Sequence, residues 1–154
     1  MINNDVYGAC FLDLFAGSGA IGIEALSRGA KEAVFIDNGS RQVACIRENL
    51  KTTKLEEKAL VLNSDVVSGL KMLEKNGKKF DLIFMDPPYD REFEKHVMDS
   101  LKDSSLIDED TLVIIEASLG TDFSWAAPMG YEIVRTKEYK TNKHVFLMKA
   151  IENR

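Results

Sequence analysis

The ten residues from Asp13 to Gly22 read DLFAGSGAIG and predict the point where a buried strand turns into a helix. Apolar residues lead into this segment, and Gly17 to Gly22 have the spacing G-x-G-x-x-G. Glycines at these positions permit a tight turn and let a ligand approach the backbone, where the helix N-terminus offers free N–H groups. The motif therefore predicts a ligand-binding loop. A tight strand-to-helix turn without a ligand has the same pattern and remains the alternative.

Short apolar runs alternate with stretches of helical periodicity downstream of this loop. Nearly continuous apolar runs are typical of strands that are buried on both faces of a parallel sheet. They predict five strands, at residues 9–14, 33–37, 59–63, 81–85 and 111–117. Apolar residues at helical spacing predict four helices, at residues 18–27, 40–51, 66–75 and 91–102. Such alternation implies right-handed crossovers and a doubly wound α/β fold.

The C-terminal part departs from this alternation. Residues 131–138 and 143–148 are predicted strands joined by a turn at 139–142, which is the pattern of an antiparallel hairpin. No internal repeat, low-complexity tract or linker interrupts the chain. We therefore predict a single domain over residues 1–154, with a mostly parallel seven-stranded sheet closed by a C-terminal antiparallel hairpin.

Composition limits the class of protein further. Apolar residues make up 45% of the chain and charged residues 29%, as in folded globular domains. No apolar run approaches the ~20 residues of a membrane span, and no secretory signal is visible. Cys10 and Cys45 form neither a disulfide framework nor a metal-binding spacing, so a reducing cytoplasm and no metal are expected. Nothing predicts an obligate dimer, and we expect a monomer.

The charge distribution argues against a protein that coats nucleic acid by charge alone. The net charge is −5, and residues 81–122 carry 3 basic against 12 acidic residues. Residues 123–154 reverse this balance, with 6 basic against 3 acidic residues. The acidic block is typical of a solvated helix face, whereas the basic tail could contact phosphates.

Two ligand classes use a glycine loop of this kind. Asp37 lies 20 residues after Gly17, where an acid would hold the ribose of a dinucleotide. A carboxylate at Asp13 would repel a pyrophosphate, but it would attract the ammonium and sulfonium charges of S-adenosylmethionine. On this interpretation Asp13 lies near the methionine moiety, Asp37 holds the ribose hydroxyls, and Asp65 with Val66 borders the adenine. As alternatives, Asp37 is a turn residue and Asp65 caps a helix.

The tetrapeptide DPPY (residues 86–89) follows the fourth predicted strand, at the edge where open α/β sheets bind ligands. Its two prolines fix the backbone and leave carbonyl acceptors. Asp86 and the Pro87 carbonyl would accept both hydrogens of an amino group, and Tyr89 would stack on the attached ring. Held in this way, the amino nitrogen becomes more tetrahedral and its lone pair is aimed at a methyl group. A bare turn is the alternative.

Residues 13–30, DLFAGSGAIGIEALSRGA, together with DPPY resemble the RsmD-type RNA methyltransferases. These are class I, S-adenosylmethionine-dependent enzymes with a Rossmann-like fold that methylate the exocyclic N2 of a guanine in 16S ribosomal RNA. The resemblance spans nearly the whole chain. It implies S-adenosylmethionine as cofactor and structured RNA as partner, either 16S ribosomal RNA or a small-subunit assembly particle.

The residue types and the resemblance together give a predicted site. The predicted cofactor-binding residues are Asp13, Phe15, Ala16, Gly17, Ser18, Gly19, Asp37, Asn38, Asp65 and Val66. The predicted catalytic residues are Asp86, Pro87, Pro88 and Tyr89.

Three further positions bear on this expectation. The resemblance suggests a functional acid at Glu116, with a structural role as the alternative. His96 and His144 have no ligand partner at useful spacing, and we assign them no role.

Members of the resembled family carry a basic N-terminal segment with an R-P-T stretch, whereas the sequence here opens at Met1, about nine residues before the first predicted strand.

Rival functions fit the sequence less well. A DNA amino-methyltransferase usually needs a target-recognition region, and about 70 residues between the two motifs leave no room for one. A carbon-5 methyltransferase needs a nucleophilic cysteine, and Cys10 and Cys45 are predicted as packing residues. A protein-amide methyltransferase would carry asparagine at position 86. An NAD-binding module gives DPPY no role, and a non-catalytic RNA-binding domain needs no cofactor.

Overall fold

The computed structural model describes residues 6–89 and 91–151. The strands are β1 (Cys10–Leu14), β2 (Glu32–Asp37), β3 (Ala59–Asn63), β4 (Leu82–Met85), β5 (Leu112–Ser118), β6 (Tyr131–Glu138) and β7 (Asn142–Lys149). The helices are α1 (Ala20–Ser27), α2 (Ser40–Thr53), α3 (Val66–Lys75), α4 (Phe93–Leu101) and α5 (Ala126–Met129), with a 3₁₀ turn at Glu56–Lys58. Within these ranges no helix has the length and apolar character needed to cross a membrane.

All seven strands form one sheet in the order β3-β2-β1-β4-β5-β7-β6. Strands β1 to β5 are parallel, whereas β7 runs antiparallel to both β5 and β6. The predicted fold class, a doubly wound and mostly parallel α/β sheet closed by an antiparallel hairpin, is confirmed. The chain reverses its direction of progress between β1 and β4, and ligands of open α/β sheets bind outside the strand ends at such a point.

Two apolar layers hold the helices against the sheet. On one face, residues of α3 and α4 such as Leu73 and Met98 pack on the sheet and are fully buried. On the other face, α2 and α1 contribute Ile46 and Leu26 around Phe35 of β2. Burying each large side chain contributes about 1.5–3 kcal/mol. The fully buried central strands explain why their sequences are continuous apolar runs rather than alternating ones.

Helix boundaries differ from the predicted ones where the backbone is left-handed. Helix α1 begins at Ala20 rather than at residue 18, because Gly19 has φ 79° and cannot continue a helix. Helix α4 begins at Phe93 because Glu92 has φ 54°. The short helix α5 was not predicted, since its four residues contain Pro128 and are too few to show a period.

Candidate functional site

The two sequence motifs meet at the carboxyl edge of the sheet. Strands β1 and β4 are neighbours in parallel register, with Leu14 opposite Met85. The glycine loop that follows β1 therefore lies beside the DPPY segment that follows β4. Parallel pairing brings these segments together although about 70 residues separate them in sequence.

The glycine loop is held by backbone hydrogen bonds and by left-handed turns. The Ala16 N–H donates to the Ile36 carbonyl (3.2 Å), and the Gly19 N–H donates to the Ala16 carbonyl (2.8 Å). Gly17 and Gly19 have φ of 59° and 79°, a region that side chains with a Cβ rarely adopt. Phe15 also has a positive φ, 57°. A non-glycine residue in this region is strained, and such strain is concentrated at functional sites.

Asp37 ties the loop to the end of β2. Its Oδ2 accepts the Gly17 N–H at 2.9 Å, and its Oδ1 accepts the Gly39 N–H at 2.9 Å. The turn role that the sequence left open is therefore present. Each carboxylate oxygen has two lone pairs, so the half-buried Asp37 can still accept hydroxyl groups from a ligand.

Asp13 lies beneath the loop, where its carboxyl group is turned toward α1. Only 2% of the residue is exposed, and its Oδ2 accepts the Gly22 N–H at 3.1 Å. Burial raises the pKa of Asp13 to about 8, and the charges of Asp86 and Asp37 act in the same direction. The structure thus assigns Asp13 a part in anchoring the first turn of α1. Its expected contact with the methionine moiety stays a prediction.

A cavity of about 580 Å³ opens between the ends of β2, β3 and β4 and helix α4. This size lies within the range of small-molecule and cofactor sites. Six predicted site residues line it, namely Phe15, Asp37, Asn38, Asp65, Val66 and Pro88. Helix α4 forms the far side of the cavity with residues to which the sequence analysis gave no site role, including His96; they are Phe93, His96, Val97, Asp99 and Ser100.

The structure places the other predicted cofactor-binding residues around this cavity rather than on its wall. Ala16, Gly17, Ser18 and Gly19 form the adjoining loop.

Asp65, which lines the cavity, also caps α3, since its Oδ1 accepts the Ser68 N–H at 2.9 Å. This cap lowers the pKa of the Asp65 carboxyl. Capping and cavity lining are compatible, because one oxygen meets the helix N-terminus and the residue is exposed.

The four DPPY residues differ in exposure. Pro87 is buried, whereas Asp86 and Pro88 are exposed and Tyr89 is 45% exposed. The Tyr89 ring is therefore free to be covered by a flat ligand. Partial removal from water, followed by the negative charge of Glu116 and a hydrogen bond with it, raises the pKa of Asp86 to about 6.

Three polar contacts at this edge were missed by the sequence analysis. His144 was assigned no role, but its Nε2 lies 3.0 Å from Oε1 of Glu116. The Asn142 side chain, on the same strand, lies close to Tyr89. Asn49 of α2 donates from Nδ2 to the Ser18 carbonyl (2.9 Å) and so supports the glycine loop. Only strand pairing and helix docking create these contacts, and no local sequence spacing signals them.

The arrangement can hold a small molecule in the cavity and a flat group at Asp86 and Tyr89, side by side. Acidic and apolar walls suit a ligand with a sugar, a ring and positive charge, since Asp37 offers acceptors and Val66 and Phe93 offer apolar surface. Among residues 6–89 and 91–151, no group of three or more His, Cys, Asp or Glu side chains is placed to hold a metal ion.

The sequence of this chain is similar to those of a known protein family and of several curated proteins. Residues 1–148 match the family described as Conserved hypothetical protein 95. YlbH of Bacillus subtilis is 37% identical over 105 residues, which cover 68% of this chain and 57% of that protein. The ribosomal RNA small subunit methyltransferase D of Haemophilus influenzae is 34% identical over 106 residues, covering 68% of this chain and 54% of that protein. The chain spans little more than half the length of these curated relatives.

The fold is also found among solved structures. A conserved hypothetical protein of Streptococcus pyogenes superposes with a TM-score of 0.83 at 30% sequence identity. The superposition covers 94% of this chain and 88% of that one. The helices and strands described above therefore form a known arrangement over nearly their whole extent.

Proposed function

Because this chain belongs to the family described as Conserved hypothetical protein 95, over residues 1–148, we propose that it is a class I methyltransferase domain. This membership confirms the family that residues 13–30 and DPPY resemble. The proposed reaction moves a methyl group from S-adenosylmethionine to the exocyclic amino group of a base in RNA. The finer proposal, guanine N2 of 16S ribosomal RNA, rests on the similarity to ribosomal RNA small subunit methyltransferase D.

The observation that carries the proposal is the position of DPPY beside the cavity. Pro88 lines the cavity, while Asp86 and Tyr89 lie next to it and near Glu116 of β5. A donor bound in the cavity and a base held at DPPY would therefore meet at the switch point between β1 and β4. Alignment of two reactants in this way is a main source of rate enhancement.

S-adenosylmethionine, when bound, supplies a methyl group made electrophilic by a sulfonium. Among the residues that line the cavity, Asp37 would accept hydrogen bonds from the ribose hydroxyls, and Val66 and Phe93 would border the adenine. Asp86 and the Pro87 carbonyl accept the hydrogens of the base amino group, and Tyr89 stacks on the base. Asp86 also attracts the positive charge that develops on the nitrogen as it gains the methyl group.

The partners and the compartment follow from this proposal. Structured RNA, as 16S ribosomal RNA or as a small-subunit assembly particle, would be methylated in the cytoplasm. We propose that the domain acts as a monomer. Residues 81–122 carry a net negative charge, which repels RNA. We therefore propose that the basic residues 123–154 orient the RNA.

Calorimetric titration with S-adenosylhomocysteine, with NAD as the parallel ligand, tests the cofactor class. We expect the first to bind and the second not to bind. Binding of NAD alone would overturn the methyltransferase proposal. Transfer of a labelled methyl group to 16S ribosomal RNA, to small-subunit particles and to DNA would then identify the substrate.

The variant Asp86→Ala tests the role of DPPY. We expect methyl transfer to RNA to be lost while the affinity for S-adenosylhomocysteine stays near that of the wild type, since Asp86 holds the base rather than the cofactor. A large loss of cofactor affinity in this variant would instead assign Asp86 to the cofactor site.

A further inference from the structure

Glu116 and His144 form a polar pair across the sheet that the proposed reaction does not yet use. They lie directly opposite each other where β5 pairs with β7, and 3.0 Å separates Oε1 of Glu116 from Nε2 of His144. Their side chains are only 23% and 12% exposed. A polar pair that is so largely removed from water is costly unless its members are bonded.

The pair continues to Asp86. Met85 lies opposite Ile115 where β4 pairs with β5, so Asp86 and Glu116 are the next residues along two neighbouring strands. Their proximity agrees with the raised pKa of Asp86. Three titratable side chains, one directly after β4, one on β5 and one on β7, therefore form a continuous row, Asp86 to Glu116 to His144.

Aromatic rings pack against His144, at the end of this row. The His144 ring meets the edge of Tyr139 with centroids 4.9 Å apart and that of Phe84 at 5.9 Å. Among residues 6–89 and 91–151, titratable groups near the row include Asp13 of β1, Tyr89 of DPPY, and Lys137 and Tyr139 of the hairpin. Lys137 is opposite His144 in register, and its ammonium lies 5.4 Å from the Tyr139 ring centroid.

We propose that Glu116 and His144 are positioning residues that act through Asp86 and take up the proton that the methylated amino group releases. This inference rests on the proposed function. During transfer a nitrogen–carbon bond forms as the carbon–sulfur bond breaks, and the electron pair of that bond stays on sulfur. The nitrogen is then cationic and loses one proton to Asp86. Glu116 takes this proton from Asp86 and passes it on to His144.

This path returns Asp86 to its accepting state. A protonated Asp86 accepts fewer hydrogen bonds from the next amino group and no longer offsets positive charge. Because Glu116 is placed between Asp86 and His144, the proton moves only between neighbouring side chains. His144 gains one positive charge in the process, and solvent removes that proton before the next turnover.

Methyl transfer by Glu116→Gln and His144→Asn, measured from pH 5 to pH 9, tests the proposal. The assay uses the full chain, S-adenosylmethionine and 16S ribosomal RNA. We expect each variant to lower kcat about tenfold or more, with both KM values within about twofold of the wild type. The double variant should be no slower than the slower single variant, because both residues serve one path.

The pH profile separates this role from a merely structural one. In the wild type kcat should fall as the pH drops through about 6, where Asp86 takes up a proton from solvent and no longer accepts one from the amino group. Glu116→Gln removes the charge that raises the pKa of Asp86, so this fall should move to lower pH. Glu116→Asp keeps a carboxylate and should recover the fall near pH 6 together with part of the rate.

A matched control is Glu138→Gln, which makes the same chemical change on exposed β6 and should leave kcat unchanged. If the wild type transfers no methyl group to RNA, the proposed function fails and the inference fails with it. If the wild type is active and the variants keep its kcat and pH profile, only the inference is overturned. Raised KM with an unchanged pH profile would also overturn it.

Discussion

Two aspartates of the glycine loop region have different environments although both are predicted to face a ligand. Asp37 is half-buried and lines the cavity, whereas Asp13 is 2% exposed and faces α1. Each accepts a backbone N–H from the loop or its helix, Gly17 for Asp37 and Gly22 for Asp13. One carboxylate is thus available to solvent and ligand, while the other is closed off. Their contributions are separable by mutation.

Asp37→Ala should weaken binding of S-adenosylhomocysteine by about 1–3 kcal/mol, the cost of a lost charged hydrogen bond. The substitution also removes the acceptor of the Gly17 and Gly39 N–H groups, so thermal unfolding should accompany the calorimetric titration. Asp110→Ala, at an exposed residue just ahead of β5, is the control. An unchanged affinity would place the ribose contact elsewhere.

Asp13→Asn should stabilise the fold at pH 8 more than at pH 4. The pKa of Asp13 is about 8 in the folded chain against an ordinary value of 3.8, so the folded state holds a proton that the unfolded state releases between these values. Stability of the wild type therefore falls as the pH rises through this window. Asparagine stays neutral and can still accept the Gly22 N–H, which removes a cost on the order of a few kcal/mol at pH 8.

Urea unfolding of both proteins at several pH values measures this effect. Equal dependence on pH in the two proteins would show that Asp13 does not titrate in this range. Asp13→Ala provides a second check, because it also loses the ionisable group but leaves the Gly22 N–H without its acceptor. We expect this variant to be less stable than Asp13→Asn by about 1–3 kcal/mol.

At the scale of the element, α1 docks closely on the sheet because its third motif glycine has no side chain. A Cβ added at Gly22 would lie 2.7 Å from Cζ of Phe35 and 3.2 Å from Oδ2 of Asp13. Phe35 is fully buried in β2 and has little room to move. The spacing of the three glycines in the motif thus combines two turn positions with one packing position.

Gly22→Ala should lower the free energy of unfolding by about 1–3 kcal/mol, although alanine favours a helix by about 1 kcal/mol over glycine. The loss reflects displacement of α1 from Phe35, so cofactor affinity should fall as well. Gly120→Ala is the matched control, because a Cβ there meets open space. Chemical denaturation of both variants measures the difference, and equal stabilities would contradict the close packing.

At the scale of the whole molecule, the C-terminal hairpin is bonded to the helical layer as well as to the sheet. Tyr131 at the start of β6 is 2% exposed, and its hydroxyl donates to the Met98 carbonyl of α4 at 2.7 Å. Burial raises the pKa of this phenol above its usual range. The hairpin in turn brings Asn142 to Tyr89 and His144 to Glu116. Its attachment therefore stabilises the site from a distance.

Tyr131→Phe should lower the free energy of unfolding by about 0.5–1.5 kcal/mol, the net contribution of one hydrogen bond. The ring still fills its place, and the Met98 carbonyl still accepts the Lys102 N–H, so no larger loss is expected. Tyr7→Phe, at a residue that is 82% exposed, is the control. Equal urea midpoints for wild type and Tyr131→Phe would show that the hydrogen bond contributes nothing.

The order of strands and helices could be predicted from the amino-acid sequence, because continuous apolar runs, glycine spacing and helical periodicity are local properties. The glycine loop, Asp37 and DPPY could also be predicted as site residues, since their chemistry depends on residue type and on their position directly after a strand. Helix starts were less certain, as at Gly19, because left-handed backbone is decided by contacts as well as by residue type.

Contacts between distant side chains, in contrast, depend on tertiary packing and could not be predicted. The Asp13 carboxyl group points toward α1 and does not line the cavity. Helix α4 forms one wall of the cavity, although its sequence carries no recognisable motif. His144 lies 28 residues from Glu116 in sequence, and Asn49 lies 31 residues from Ser18, so neither contact has a local signature. Strand register and helix docking create such contacts, because they bring distant residues together only after the apolar layers on both faces of the sheet have packed.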